Sequence, residues 1–313
     1  MPNNLTLLDL AKLNGHDPIV GLIEEVATAS PEVTTIPART IRGTSYKTVT
    51  RNSRPSVAFR QANEGTDATK SNFTERLVEC FILSARIEVD KAVARGYEDG
   101  AEALQAIEAV GVMRAALSTV GTQTIYGDNA SSKGFAGLQT LVTALGSDIV
   151  VDAGGTTAGT GSSVYAIKAG NTGVQYVYGN GTTFDLSPFR EGDAVDASSK
   201  RYAAFIADLT AWIGFQCVNK NAIGRLKDCT ADSGKGCTDA KIAELLSKFP
   251  VGDRPTHLLM SRRSAFQLQV SRNTTPSTKQ EAFTGILPGV PTESFGIPII
   301  ITDSIVDTET LTA

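Results

Sequence analysis

The sequence predicts an α+β fold whose first domain is interrupted, and three observations lead there. The longest helical pattern runs Leu104, Ile107, Val110, Met113, Leu117 and Val120, placing one apolar stripe on a helix from about 98 to 122. Residues 163–227 are mostly strand-like, with Ser163–Lys168, Val174–Tyr178 and a long run from Tyr202 to Leu226. The chain then closes on a helix at 262–271 and a strand at Ile297–Ile305. Strands inserted between a long helix and a closing strand interrupt the domain that holds the helix.

Composition narrows the function classes. With 313 residues, 41% hydrophobic and 20% charged, the chain can bury a substantial core in one large domain or two ordinary ones. A net charge of −4 gives no net pull toward nucleic acid or an anionic membrane. The longest clean apolar run, Ile297–Ile301, is far short of the roughly 20 residues that span a bilayer. The start lacks a basic stretch followed by an apolar one, so no secretory signal is expected and the cytoplasm is the default address. Cys80, Cys217, Cys229 and Cys237 form no CxxC pair and are too few for a disulfide framework.

Taken in order, residues 5–28 show helical periodicity at Leu5, Leu8 and Leu13, then at Ile19, Leu22, Ile23 and Val26, split by a turn from Gly15 to Pro18. Residues 1–35 hold Lys12 against Asp9, Asp17, Glu24, Glu25 and Glu32, a balance of −4. From Ile36 to Glu75 the sign reverses to +4, with Arg39, Arg42, Lys47, Arg51, Arg54, Arg60 and Lys70. Alternation in Thr44–Thr50 and Ser56–Arg60 predicts two strands joined around Asn52–Pro55. A lone two-stranded hairpin is marginal in water, so this one is expected to lie on something else. A basic arm seeking nucleic acid is the rival, but it has few stacking platforms, Tyr46 and Phe59 among them. An acidic arm beside a basic hairpin points to protein contacts, between chains included.

Leu77–Leu83 reads as a strand, and the long helix follows. Gly111 in its middle costs on the order of 1 kcal/mol relative to Ala; close helix packing and a bend point both account for it. Ile125–Leu138 is turn-rich. Thr238 caps a helix carrying Ile242, Leu245, Leu246 and Phe249, a strand occupies 256–261, and a Thr/Ser/Pro loop fills 273–279.

Catalytic constellations are missing. His16 sits in a turn and His257 in an apolar strand, both read as structural, and two histidines are too few for a His-rich metal site. The glycine-rich stretch Ala153–Ser163 lacks the GK[ST] ending of a phosphate loop and reads as a flexible connector. No G-x-S-x-G elbow occurs. The expectation is a protein that is not an enzyme and holds neither cofactor nor metal.

This order of parts resembles the HK97-fold major capsid proteins of tailed double-stranded DNA bacteriophages. The resemblance is carried by Ile125-Tyr-Gly-Asp-Asn129 with Gly134-Phe-Ala-Gly-Leu138, by Trp212–Val218 with Ile223–Lys227, and by Phe295–Ile305. It is nearest to a podophage-type branch whose subunits begin with an arm like Leu5-Thr-Leu-Leu-Asp-Leu-Ala-Lys12. It implies an N-arm at 1–35, an extended E-loop hairpin at 36–76, and a peripheral (P) domain at 77–145 containing the spine helix. An axial (A) domain at 146–250 and a return to the P domain at 251–313 complete the layout.

The implied function is a structural shell subunit that assembles as hexamers and pentamers around double-stranded DNA, in a virion put together in the host cytoplasm. Inter-subunit contacts are expected at Arg39, Arg42, Lys47, Arg51 and Arg54 of the E-loop and at Asp9, Glu24 and Glu25 of the N-arm, with Gly111 as a spine-helix hinge. Because no long segment precedes the arm, a separate scaffolding protein is expected, alongside a portal and a decoration protein. Lys47 and Lys70 are available for cross-links between subunits, but no motif marks such a site. An encapsulin-type compartment and a β-rich phage surface protein are the alternatives.

Overall fold

The computed structural model describes residues 5–14, 24–26, 28–196, 198–273 and 290–311. In chain order come α1 (Leu7–Leu13), α2 (Glu32–Thr35), β1 (Ala38–Thr40), β2 (Ser45–Ser53), β3 (Asn72–Glu79), β4 (Phe81–Asp90) and α3 (Lys91–Arg95). Then follow α4 (Ala101–Tyr126), α5 (Asn129–Ser132), α6 (Leu138–Ala144), β5 (Val150–Asp152), β6 (Ser162–Ile167) and β7 (Val174–Tyr178). The remainder is β8 (Asp185–Leu186), β9 (Arg190–Val195), β10 (Arg201–Cys217), β11 (Ile223–Cys229), α7 (Asp239–Ser247), β12 (His257–Met260), α8 (Arg262–Asn273), β13 (Glu293–Ser294) and β14 (Ile297–Ile301).

Two six-stranded sheets organise the body. The first is built on β10, whose 17 residues pair antiparallel with β4 from Ala204 to Ile213 and with β7 from Ile213 to Cys217. Strands β8 and β9 lie on the same side of β10 as β7, opposite β4, and β1 adds in parallel to β7. The second sheet runs β13-β14-β12-β6-β11-β5. Strand β6 lies between β11 and β12 with all six residues buried, as in a strand covered on both faces.

Helix α4 is the predicted long helix, displaced by a few residues to 101–126. Its length and average apolarity reach those of a bilayer-crossing helix, but Leu104, Ala116, Val120 and Ile125 are buried against protein. Its first turns pack with α1, β4 and α3 through Leu10, Ile87, Val89 and Tyr97. Its last turns enter the main core with Leu138, Tyr165, Tyr176 and Ile213, where both sheets meet. The turn-rich Ile125–Leu138 stretch contains α5 and folds back so closely that a Cβ on Gly137 would lie 2.5 Å from the Gly127 amide nitrogen. Only glycine tolerates that approach.

Several expectations are corrected. The hairpin does not turn at Asn52–Pro55: β2 pairs with β3 from Ser45↔Glu79 to Ser53↔Asn72, and Ser56–Arg60 is not a strand. Alternation at Val57 and Phe59 gives the right pattern, but Pro55 removes a ladder donor and the exposed 54–70 stretch serves as the tip. Leu77–Leu83 is divided at Cys80 between β3 and β4. Glu24–Val26 is not helical, while Ile19–Ile23, His16 and the 274–279 part of the Thr/Ser/Pro loop lie outside the described residues. The closing strand stops at Ile301, where Thr302 and Ser304 start a turn. The linear boundaries at 145 and 250 do not separate the sheets. Strands β7 to β10 join β4 in the first, whereas β12 and β14 join β5, β6 and β11 in the second.

Candidate functional site

The hairpin β2–β3 leaves the body at a polar root. The Tyr46 hydroxyl donates to Gln216 Oε1 at the end of β10, and the same oxygen accepts from Gln175 Nε2 at 2.8 Å. Val78 is buried beneath the root, while Val57 and Phe59 at the tip are 95% and 108% exposed. The hairpin therefore has an anchored base and a tip that the described residues do not cover.

The five expected contact cations divide. Arg39, on β1, sits 4.3 Å from the Tyr46 ring centroid and reaches Gln216 at 3.5 Å, so it braces the root from within the chain. Lys47 pairs with Glu75 across the hairpin at 2.6 Å, and Arg51 lies 5.4 Å from the Phe73 ring centroid. Arg42 and Arg54 are exposed, with no hydrogen-bond or ion-pair partner among the described residues.

The three acidic residues divide as well. Asp9 closes a capping box with Thr6 at the start of α1, which holds its carboxyl below the usual range, and it lies 3.6 Å from Lys12. Glu24 pairs with Arg114 on α4, so that part of the arm is tied to its own spine helix. Glu25 is exposed and has no ion pair among the described residues. The structure does not bring the acidic set and the basic set together within one chain.

Gly111 is exposed in an unbroken α4, and a Cβ there would meet nothing within 4 Å. Close packing does not explain it. Ten residues later, Gly121 is the true contact point, where a Cβ would meet Ser304 Oγ, Ser30 Oγ and Glu32 Oε1 at 2.4–2.6 Å. There the N-arm root crosses the helix and meets the C-terminal segment. Ser304 Oγ donates to Glu32 Oε1, the two serine hydroxyls are 3.0 Å apart, and Asp303 and Ala29 exchange hydrogen bonds at 2.8 and 3.1 Å.

A second buried network continues along the same segment. Arg225 of β11 donates to Glu309 Oε2 at 3.1 Å and to Ser163 Oγ at 3.0 Å; Ser163 donates to the same carboxylate at 2.5 Å. The Tyr126 hydroxyl, at the end of α4, donates to Glu309 Oε1 at 2.6 Å and accepts from the Val306 amide at 2.9 Å. Burial and the adjacent carboxylate push the Tyr126 phenol up, so it stays a donor. Residues 302–309 thus clasp the N-arm root, the spine helix and the second sheet. Sequence reasoning missed this clasp, because Glu32, Ser304 and Glu309 are ordinary residue types in no recognisable spacing.

His257 is half-buried at the start of β12, its Nδ1 2.9 Å from Thr256 Oγ1, and burial lowers its pKa. No group of three or more His, Cys, Asp or Glu able to hold a metal occurs among the described residues. The glycine-rich connector is pinned: Asp232 accepts from the Thr156 and Thr157 amides at 3.3 Å and from the Thr157 hydroxyl at 2.7 Å. These bonds hold its carboxyl down at about 2.

Comparison with solved structures places the fold. The chain superposes on the structure titled "Validated Near-Atomic Resolution Structure of Bacteriophage Epsilon15 Derived from Cryo-EM and Modeling" with a TM-score of 0.72. That match has 19% identity and covers 99% of this chain and 98% of that one. Lower similarity extends to a structure of Mycobacterium phage Bobi, with a TM-score of 0.47, 13% identity and coverage of 71% and 97%. A Synechococcus elongatus encapsulin complex gives 0.47, 8% identity and coverage of 71% and 94%. No curated protein sequence matches. The architecture is that of an HK97-like phage capsid subunit, and residues 16–313 match the family described as major capsid protein GP7, so the chain belongs to that family of phage major capsid proteins.

Proposed function

We propose that copies of this chain assemble through hexamers and pentamers into an icosahedral shell enclosing a double-stranded phage genome, in the host cytoplasm and with the help of a separate scaffolding protein. A portal and a decoration protein complete the particle, and the chain carries no enzymatic activity. The observation that carries the reading is the hairpin: a rooted two-stranded arm whose apolar tip, Val57 and Phe59, is covered by none of the described residues. Such an arm is stable when a neighbouring copy covers it, and many modest contacts then hold a closed shell together. The axial part is the second sheet with α7 and α8, and the peripheral part is the first sheet with α4. Arg42, Arg54 and Glu25 supply contact charges between copies, with Lys47 and Arg51 stiffening the hairpin they stand on. Gly111 is the bend point of the spine helix during shell expansion.

Negative-stain microscopy of the purified chain, made alone and together with its scaffold, tests this. Closed shells, polyheads, or five- and six-membered rings are expected. A monodisperse monomer under both conditions contradicts the reading, and particles filled with protein instead of DNA point to an encapsulin-type compartment.

A further inference from the structure

Under the outer part of the β2–β3 ladder, a cavity of about 360 Å³ lies between the arm and the body. Arg51, Asn52 and Arg76 reach it from the hairpin, and Asn219, Lys220 and Asn221 from the turn after β10; no carboxylate lines it. Arg76 Nε is out of solvent and has no hydrogen-bond acceptor among the described residues. Some lining groups are already engaged. Asn52 donates to Thr74, Asn219 accepts from the Asn221 amide at 3.0 Å, and Lys220 lies 3.7 Å from an Asp148 side chain that is 92% exposed. That last pair is screened by water and offsets little of the local charge.

Three cations around one cavity repel one another, and a buried guanidinium nitrogen without an acceptor costs stability. Both costs disappear when an oxyanion enters, because a guanidinium presents paired donors matching a carboxylate or phosphate edge. We propose that this cavity is an oxyanion site and that, in the shell, a carboxylate side chain of a second copy fills it. The inference rests on the shell reading. The second copy is favoured by charge: the 36–75 stretch is +4 while the chain as a whole is −4, so the rest of each copy sums to −8 and offers carboxylates to a basic hairpin. Because the cavity draws donors from both arm and body, the bound carboxylate also fixes the angle at which the hairpin leaves the subunit.

Inorganic phosphate is the probe for the unassembled full chain, measured as thermal unfolding against chloride of equal ionic strength. Wild type is expected to gain roughly 2–4 °C, and Arg76→Met and Lys220→Met to lose at least half of that gain. Lys220 is exposed, so the second variant keeps the test open if the first folds poorly. In assembled particles, a map should show a neighbouring copy's Asp or Glu within hydrogen-bond reach of Arg76. Equal phosphate response in wild type and both variants overturns the site. A particle map with nucleic-acid phosphate, a free ion or nothing in the cavity overturns the assigned occupant. If wild type forms no particles at all, the shell reading falls and takes that occupant with it, while the phosphate comparison still decides the oxyanion site.

Discussion

Arg225 and Glu309 form an ion pair at 3.1 Å with side chains only 7% and 5% exposed, joining the second sheet to the C-terminal segment. Ser163 and Tyr126 satisfy the remaining carboxylate lone pairs, which makes so dry a pair tolerable. Removing one partner strands the other charge. Glu309→Gln or Arg225→Met is expected to destabilise the unassembled subunit by about 3–5 kcal/mol in denaturant titrations, and the double variant by less than the sum. Tyr126→Phe is expected to cost about 1–3 kcal/mol, since it leaves Glu309 Oε1 and the Val306 amide short of a partner.

Two glycines on one helix should behave oppositely. Gly111→Ala meets empty space and gains helix propensity, so the subunit is expected to gain about 0.5–1 kcal/mol. If Gly111 is the bend point, the same variant assembles normally and shifts the expansion step, read by the change in particle diameter over time. Gly121→Ala drives a methyl into the Ser30–Glu32–Ser304 contact and is expected to cost roughly 1–3 kcal/mol. Equal melts for the two variants would contradict this assignment of roles.

All four cysteines are buried, and burial pushes their thiols up, to about 12 for Cys217 and Cys229. A raised folded pKa on an acid keeps the native state protonated where the unfolded chain has already lost its protons. Their contribution is therefore whole below the ordinary thiol value of 9.0 and is lost as pH rises from there toward about 12. Ellman's reagent at pH 8 is expected to find almost no reactive thiol in the folded subunit and four after unfolding. Rapid labelling of the native protein would show that the core opens far more readily than its burial implies.

The exposed contact cations should matter for assembly and little for folding. Arg42→Glu with Arg54→Glu is expected to lower particle yield severalfold while the monomer's melting temperature stays within about 2 °C. Arg39→Glu is expected to lower that temperature, because Arg39 braces Tyr46 and Gln216 inside the chain. Normal particle yield from the first pair would remove electrostatics from hairpin docking.

Local signals were legible. The stripe from Leu104 to Val120 became α4, Thr238 caps α7 through the Lys241 amide, and Leu258 and Ile299 lie in paired strands. Long-range pairing was not. The hairpin's second strand starts at Asn72, well beyond the nearer candidate at Ser56, because register depends on what the strands bury and not on their alternation alone. Charge signs were readable, but their use was not: Arg39, Lys47 and Glu24 look like free contact charges and are engaged within the chain. The clasp joins residues as far apart as Glu32 and Ser304, a separation of 272 that no local pattern marks.

Tryptic cleavage of the hairpin tip before and after assembly tests the central claim most directly. Arg60 and Lys70 lie in the exposed 54–70 stretch, whereas the bond after Arg54 is guarded by Pro55. The unassembled subunit is expected to be cut at Arg60 and Lys70 within minutes, and the same bonds in particles to survive at least tenfold longer because a neighbouring copy covers them. Equal cleavage in both states, or a tip already protected in the monomer, would contradict the hairpin's role as the element one subunit lays upon the next.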